Sequence, residues 1–149
     1  MPDNQLTEVE NLDAFAGMLV FDKWSCNTNG RQTIFRWKSR EEQDPPEARY
    51  QTFMIDQGFC FNAGEWNFPD APLRGLYARN KVYEGVVGRE SFGLWLHRLD
   101  KNVTEGVFDE LVGEIPPEWY DDDLDSLLHL AEQLYRRRSN VPGLLLLFR

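Results

Sequence analysis

The chain has 149 residues, the length of a single compact domain. Hydrophobic residues make up 42% of it and aromatic residues 13%, which argues against an intrinsically disordered protein. Asp and Glu outnumber Lys and Arg by 25 to 16, and the resulting net charge of −9 argues against nucleic acid as a partner.

Three features indicate a soluble, cytoplasmic protein without a membrane partner. Residues 1–10 are polar and acidic and do not resemble a signal peptide. The longest apolar runs, 17–21 and 144–148, are far shorter than the roughly 20 residues that cross a bilayer. Cys26 and Cys60 are too few for a disulfide framework or a four-cysteine zinc site, and we expect them to be buried thiols.

The first half of the chain is predicted to form one helix and one hairpin. Residues 11–24 are apolar on nearly every side of a helix, which is typical of a helix buried by its neighbours. Residues 32–37 and 50–55 are rich in β-branched and aromatic side chains and are predicted to be strands. Because the segment 38–49 between them is charged and contains prolines, we expect an exposed loop and an antiparallel hairpin.

The second half is predicted to be helical, after an ordered loop over 59–72. Apolar residues at spacings of three and four predict helices over 92–99, 107–115 and 124–135, and a short last helix is expected over 144–148. The chain is therefore a single domain of the α+β class, mostly α.

The helix over 124–135 and its C-terminal arginines carry a specific burial prediction. We expect six of its residues to be buried: Leu124, Leu127, Leu128, Ala131, Leu134 and Tyr135. Arg136, Arg137 and Arg138 follow and are expected to be solvent-exposed charges at the negative end of the helix, with anion binding as the alternative. Leu144–Leu147 are expected to join the core, and self-association is the alternative.

Two polar clusters flank the predicted hairpin. Residues 27–32 precede its first strand and residues 56–58 follow its second. An antiparallel hairpin brings these ends together, so we predict that side-chain oxygens of Asn29 and Asp56 lie within about 10 Å of each other. A carboxylate beside amide oxygens suits Mg²⁺ with its waters and substrate phosphates. The alternative is that both clusters are simple turns.

Residues 21–32, FDKWSCNTNGRQ, resemble the "FDxWxxNTDRHxxN" catalytic loop of HipA-like kinases. Residues 54–59, MIDQGF, are similar to the "hIDhG" metal-binding segment of that family, and further similarity lies in 61–66, 68–73 and 115–120. The resemblance covers most of the chain. It implies a kinase C-lobe with a small hairpin, from a lineage that transfers phosphate from ATP to Ser or Thr.

The resemblance also implies a role for individual residues. The general-base Asp of the family falls on Asn29, and Asn27 matches the residue that orients the catalytic loop. The metal ligands fall on Asp56 and near Gln32, in a loop two residues shorter than the family pattern, and Asp22 matches a structural Asp. Mg²⁺ and ATP are the implied cofactors.

Two departures from the family lead us to expect that the isolated chain is inactive. The amide of Asn29 cannot accept a proton at neutral pH as a carboxylate does. Kinases also hold ATP between a strand-rich N-lobe and a helical C-lobe, and nothing before Asn11 resembles that N-lobe. We therefore expect a pseudokinase or a fragment that needs a missing N-lobe or partner chain. The alternative is a non-catalytic binding or regulatory module that retains the lobe fold.

Overall fold

The computed structural model describes residues 1–42 and 48–146 of the chain. In these ranges the secondary structure consists of short 3₁₀ turns and the following elements: α1 (Ala14–Trp24), β1 (Gln32–Trp37), β2 (Tyr50–Ile55), α2 (Cys60–Ala63), α3 (Gly93–Asn102), α4 (Glu105–Glu114), α5 (Leu124–Arg137) and α6 (Val141–Leu144). The fold is α+β and mostly helical, which confirms the predicted class.

Helix α1 is the central element, as its all-round apolar pattern predicts. On one side Leu19 packs with Val141 of α6, and both side chains are fully buried. On another side Phe15, also fully buried, packs with Leu6 from the N-terminal turn. Two hydrophobic clusters therefore both contain residues of α1, which makes this helix the centre of the core.

The two strands form the predicted antiparallel hairpin. Their register runs from Gln32 opposite Ile55 to Trp37 opposite Tyr50, so the strands pair along their full lengths. Successive side chains on a strand point to opposite faces, and one face of the hairpin is left exposed at Ile34.

The other face of the hairpin is attached to α1 in two ways. Phe35 and Met54 pack against the cluster that contains Phe15. In addition, the side chain of Asn11 accepts a hydrogen bond from the backbone N–H of Thr52 (2.9 Å) and donates one to its carbonyl (3.1 Å). Asn11 thus pairs with β2 as a strand residue would, and it fixes the start of α1 to the sheet.

The loop over 38–49 differs from the prediction at both ends. Lys38 is buried, with its Nζ 2.7 Å from Oε2 of Glu10, and Ala48 is buried as well. The ion pair allows a charged residue to lie inside, because the carboxylate replaces lost water. The described residues between them are exposed, as predicted, and 43–47 lie outside the described residues.

Helix α5 buries only part of the face that the pattern predicted: Leu127 and Leu134 are buried as predicted, whereas Ala131 and Tyr135 are half-buried. Its buried residues are Leu127, Leu130, Leu134 and Arg137. Leu124 and Leu128 were expected inside but are 45% and 47% exposed. Apolar residues cover more than one face of this helix, and packing against Trp24 and the loop after α2 selects one of them.

The last described turn begins earlier than predicted. Helix α6 starts at Val141 instead of residue 144, with Pro142 in its first turn, where a missing N–H costs nothing. Leu144 and Leu145 are buried, which confirms their predicted place in the core, but Leu146 is 37% exposed, so its predicted burial is wrong. Residues 147–149 lie outside the described part. Among the described residues, no helix is both long enough and apolar enough to cross a membrane.

Candidate functional site

The two predicted polar clusters, residues 27–32 and 56–58, lie side by side and are called the hairpin-end site. Gln32 is the first residue of β1 and lies opposite the last residue of β2. Further along the loop, the backbone N–H of Thr28 donates to the carbonyl of Phe59 at 3.1 Å. Residues 29–31 and 56–58 lie between these two contacts and are therefore close to each other. The predicted distance between the side-chain oxygens of Asn29 and Asp56 stays a prediction.

A buried ion pair beneath the loop holds it in place. The carboxylate of Asp22, on α1, accepts hydrogen bonds from two nitrogens of Arg31, one of them at 2.8 Å, and one from Nδ2 of Asn27 at 2.9 Å. A third nitrogen of Arg31 donates to the carbonyl of Ile55 at 2.6 Å. Paired, charge-assisted hydrogen bonds of this kind are strong and directional. One side chain therefore joins α1, the polar loop and the end of β2.

The surroundings of this ion pair are tightly packed, and they keep Arg31 in its charged form. Gly75 has φ +77°, and a Cβ at this position would lie 2.6 Å from the Cβ of Asp22, so the close approach requires glycine. Burial alone would lower the pKa of Arg31, but the hydrogen bonds and charge of Asp22 outweigh burial and raise it. The charge of Asp56 acts in the same direction, which means that this carboxylate lies within electrostatic reach of Arg31.

Asn27 and Asn29 are linked through the same network. Asn27 is almost fully buried, and while its Nδ2 donates to Asp22, its Oδ1 accepts from the backbone N–H of Asn29 at 3.1 Å. This geometry fits the loop-orienting role that the resemblance implies for Asn27. Asn29 itself is half-buried, and its Oδ1 lies 2.9 Å from the backbone nitrogen of Gly30.

Asp56 and Gln32, the implied metal ligands, are both exposed. The backbone of Asp56 is left-handed (φ +59°), and its carboxylate accepts one long hydrogen bond, 3.4 Å, from the N–H of Gly58. Among the described residues, no group of three or more His, Cys, Asp or Glu side chains could hold a metal ion. A cation at this site would therefore have one protein carboxylate, and amide oxygens, water and phosphate would supply the remaining ligands.

Lys23 lies behind the loop, and its burial was not predicted. Its side chain is 2% exposed, and its Nζ donates to the backbone carbonyls of Ala71 (3.4 Å) and Arg74. Burial lowers the pKa of Lys23 to about 8, although the charge of Asp22 opposes this change. A neutral amine still has two N–H donors, so both carbonyls remain satisfied after Lys23 loses its proton.

The prediction that Arg137 is solvent-exposed is wrong. It is 5% exposed and donates to three backbone carbonyls, those of Lys23, Phe68 and Pro69, and to the carboxylate of Asp70. A buried guanidinium needs such partners, and here they come from α1 and from the loop over 59–72. Arg137 therefore fixes that loop, and through it the residues behind the site.

The two cysteines are buried free thiols, as predicted. The thiol of Cys60 lies 3.4 Å from Oγ of Ser25, and that of Cys26 lies 3.6 Å from the carbonyl of Pro69. Burial raises the pKa of both thiols, so they are less reactive than exposed cysteines at neutral pH.

The structural role of Arg31 was not predicted, although the sequence contains a signal for it. Asp22 lies in a helix predicted to be buried on nearly every side, and a buried carboxylate requires a cationic or hydrogen-bonding partner. The only basic residue within the polar cluster 27–32 is Arg31. A predicted ion pair between Asp22 and Arg31 would have placed residues 27–32 against α1.

No protein-family model, curated protein or solved structure matches the chain. The kinase-lobe interpretation therefore rests on the resemblance of the two sequence segments and on the geometry of the hairpin-end site. It is developed as a proposal below.

Proposed function

We propose that the chain is a C-lobe-type domain of the HipA-like kinase lineage, which binds a Mg²⁺–nucleotide at the hairpin-end site and does not transfer phosphate by itself. The observation that carries the proposal is the pairing of the hairpin, which brings residues 27–32 beside residues 56–58. These are the two segments that resemble the catalytic loop and the metal-binding segment of the family.

Asp56 is the charged group available to a cation at this site. Arg31 is neutralised by Asp22 and has a further acceptor at Ile55, whereas the carboxylate of Asp56 is exposed and, among the described residues, has only the long bond to Gly58. Its left-handed backbone is uncommon for a residue other than glycine, although Asp tolerates it better than most. An exposed carboxylate held in such a conformation at the end of a rigid hairpin suits a ligand to Mg²⁺.

The lack of phosphoryl transfer follows from Asn29. A general base must accept the proton of the attacking hydroxyl, and an amide does not do so at neutral pH. The Oδ1 atom of Asn29 also lies next to the backbone nitrogen of Gly30, so it is directed into its own loop. Binding without transfer is the activity that this set of side chains supports.

Calorimetric titration of the chain with Mg²⁺ and a non-hydrolysable ATP analogue tests the proposal. We expect binding with a Kd of about 0.1–1 mM that disappears when Mg²⁺ is chelated. The Asp56→Asn variant should bind at least about tenfold more weakly, equivalent to about 1.4 kcal/mol, because it removes the charge that faces the metal. Asn tolerates the left-handed backbone, so the variant keeps the local conformation.

Asp122→Asn is the matched control for this titration. Asp122 is also exposed and also left-handed (φ +57°), and the substitution removes the same charge from a different surface. Its affinity for the nucleotide should equal that of the unchanged chain. Absence of Mg²⁺-dependent binding, or equal weakening by the two variants, would contradict the proposal.

A second candidate function is a non-catalytic binding or regulatory module that uses the same fold without a nucleotide. The observation in its favour is the combination of Asn29 in place of a base with one lone carboxylate, Asp56, at the site. This alternative predicts that neither Mg²⁺ nor the nucleotide analogue gives a heat of binding.

A further inference from the structure

A groove between α4 and α5 forms a second surface feature, remote in sequence from the hairpin-end site. It has a volume of about 360 Å³. Apolar side chains of both helices line it: Phe108, Val112, Leu128, Ala131 and Tyr135. Leu128 is 47% exposed, and two more leucines of these helices, Leu111 and Leu124, are 48% and 45% exposed. Exposure of several large apolar side chains on neighbouring helices marks a surface that can bind another molecule.

The net negative charge of the chain is concentrated in the segment that contains α4 and most of α5. Residues 102–135 contain ten Asp and Glu residues and no Lys or Arg, whereas the remaining 115 residues contain 15 acidic and 16 basic residues. Glu105 and Asp109 line the groove itself, and neither has an ion-pair partner among the described residues. Glu132 and Arg136 also line it and form an ion pair with each other, so Glu105 and Asp109 remain as the uncompensated charges of the lining. The net negative charge of the protein therefore arises in this segment, which also supplies most of the residues that line the groove.

This charge distribution indicates which kind of molecule can bind in the groove. A second copy of the chain would bring two such acidic segments face to face, and like charges at close range are repulsive. An anionic membrane would be repelled for the same reason. A cationic segment with one apolar face would be attracted by the acidic residues and could bury Leu128 and its apolar neighbours.

The shape of the groove favours a helical segment. It runs between two helices, of which α4 has 10 residues and α5 has 14, or roughly 15 and 21 Å at 1.5 Å per residue. Apolar residues at positions i, i+4 and i+7 of a third helix span roughly 10 Å and fit within that length.

We propose that the groove between α4 and α5 is a docking site for a basic amphipathic helix of a partner protein. The apolar face of that helix packs against Leu128 and the other lining side chains, and its Lys or Arg residues pair with Glu105 and Asp109. The site is independent of the nucleotide site proposed above, because no residue belongs to both.

Binding of a synthetic probe tests the proposal on the full chain. The probe is an 18-residue amphipathic peptide of Leu and Lys with a fluorescent label, and its counterpart has Glu in place of every Lys. Fluorescence anisotropy should give a Kd of about 10–100 µM for the Lys peptide and no binding of the Glu peptide. Leu128→Ser should weaken binding of the Lys peptide about tenfold, whereas Leu73→Ser, at a leucine that is 74% exposed elsewhere, should not.

A charge-reversal pair separates docking in the groove from general attraction to an acidic protein. Asp109→Lys and Glu90→Lys change the net charge equally, but only Asp109 lines the groove. Asp109→Lys should weaken binding at least fivefold more than Glu90→Lys. No binding at 1 mM peptide, equal loss in the two reversals, or no effect of Leu128→Ser would overturn the proposal. Sedimentation that shows a dimer lost on Leu128→Ser would overturn it in favour of a second copy.

Discussion

Replacing Arg31 by Met isolates the interaction that holds the hairpin-end site together. Met keeps much of the length and apolar volume of the Arg side chain but removes its charge and its three hydrogen bonds to Asp22 and Ile55. Asp22 is 2% exposed, so water cannot replace the lost partner, and Asn27 alone remains. Breaking a buried ion pair from one side costs about 3–5 kcal/mol, because a charge is left buried without compensation.

Urea denaturation followed by far-UV circular dichroism measures this loss. Arg36→Met is the matched control, since Arg36 is 46% exposed and its pair with Glu42 lies on the surface; its urea midpoint should stay close to that of the unchanged chain. Adding Asp22→Asn to Arg31→Met should recover about 1–3 kcal/mol, because the second change removes the uncompensated charge. Equal midpoints for Arg31→Met and Arg36→Met, or no recovery in the double variant, would refute the reasoning.

The remaining predictions concern the core, pH and catalysis. Leu19→Ala should lower the free energy of unfolding by about 2–5 kcal/mol and Glu41→Ala should change it by less than about 0.5 kcal/mol; equal urea midpoints would place α1 outside the core. Burial lowers the pKa of Lys23 from 10.5 to about 8, so between these values the unfolded chain binds more protons than the folded one. Stability relative to Lys23→Met should therefore rise by up to about 3 kcal/mol as pH increases through this range, and a flat difference would contradict the burial argument. The purified chain should not phosphorylate itself with radiolabelled ATP because Asn29 is no base, and Mg²⁺-dependent labelling that Asp56→Asn abolishes would overturn this.

The sequence predicts the elements around the site because their patterns are local. The strands, with their β-branched and aromatic residues, occur at 32–37 and 50–55 as predicted, and they pair antiparallel across the polar loop of residues 38–49, as expected. Once the hairpin exists, the meeting of residues 27–32 with residues 56–58 is a matter of topology. The chemistry of the hairpin-end site stays a prediction.

The burial of charged residues could not be predicted from local pattern. Arg137 is the last residue of α5, a position where exposed basic residues are common, and the carbonyls that accept its hydrogen bonds belong to residues up to 114 positions away in the chain. Lys23 likewise donates to backbone carbonyls, those of Ala71 and Arg74, and the segment that contains them has no regular spacing of apolar residues. For α5, Leu128 and Leu130 are equally apolar in sequence, and the tertiary packing of the cluster that contains Leu130, to which Trp24 and Phe61 contribute, decides that Leu130 is buried.

Broadening of backbone amide signals by Mn²⁺ is a direct test of the proposed metal–nucleotide site at the end of the hairpin. Mn²⁺ replaces Mg²⁺ at oxygen ligands and broadens nearby NMR signals. With the ATP analogue present, we expect selective broadening of the amides of residues 27–32 and 56–58, and loss of this broadening in Asp56→Asn. Broadening confined to the acidic residues of 102–135, or an identical pattern with and without the nucleotide, would contradict a metal–nucleotide site at the end of the hairpin.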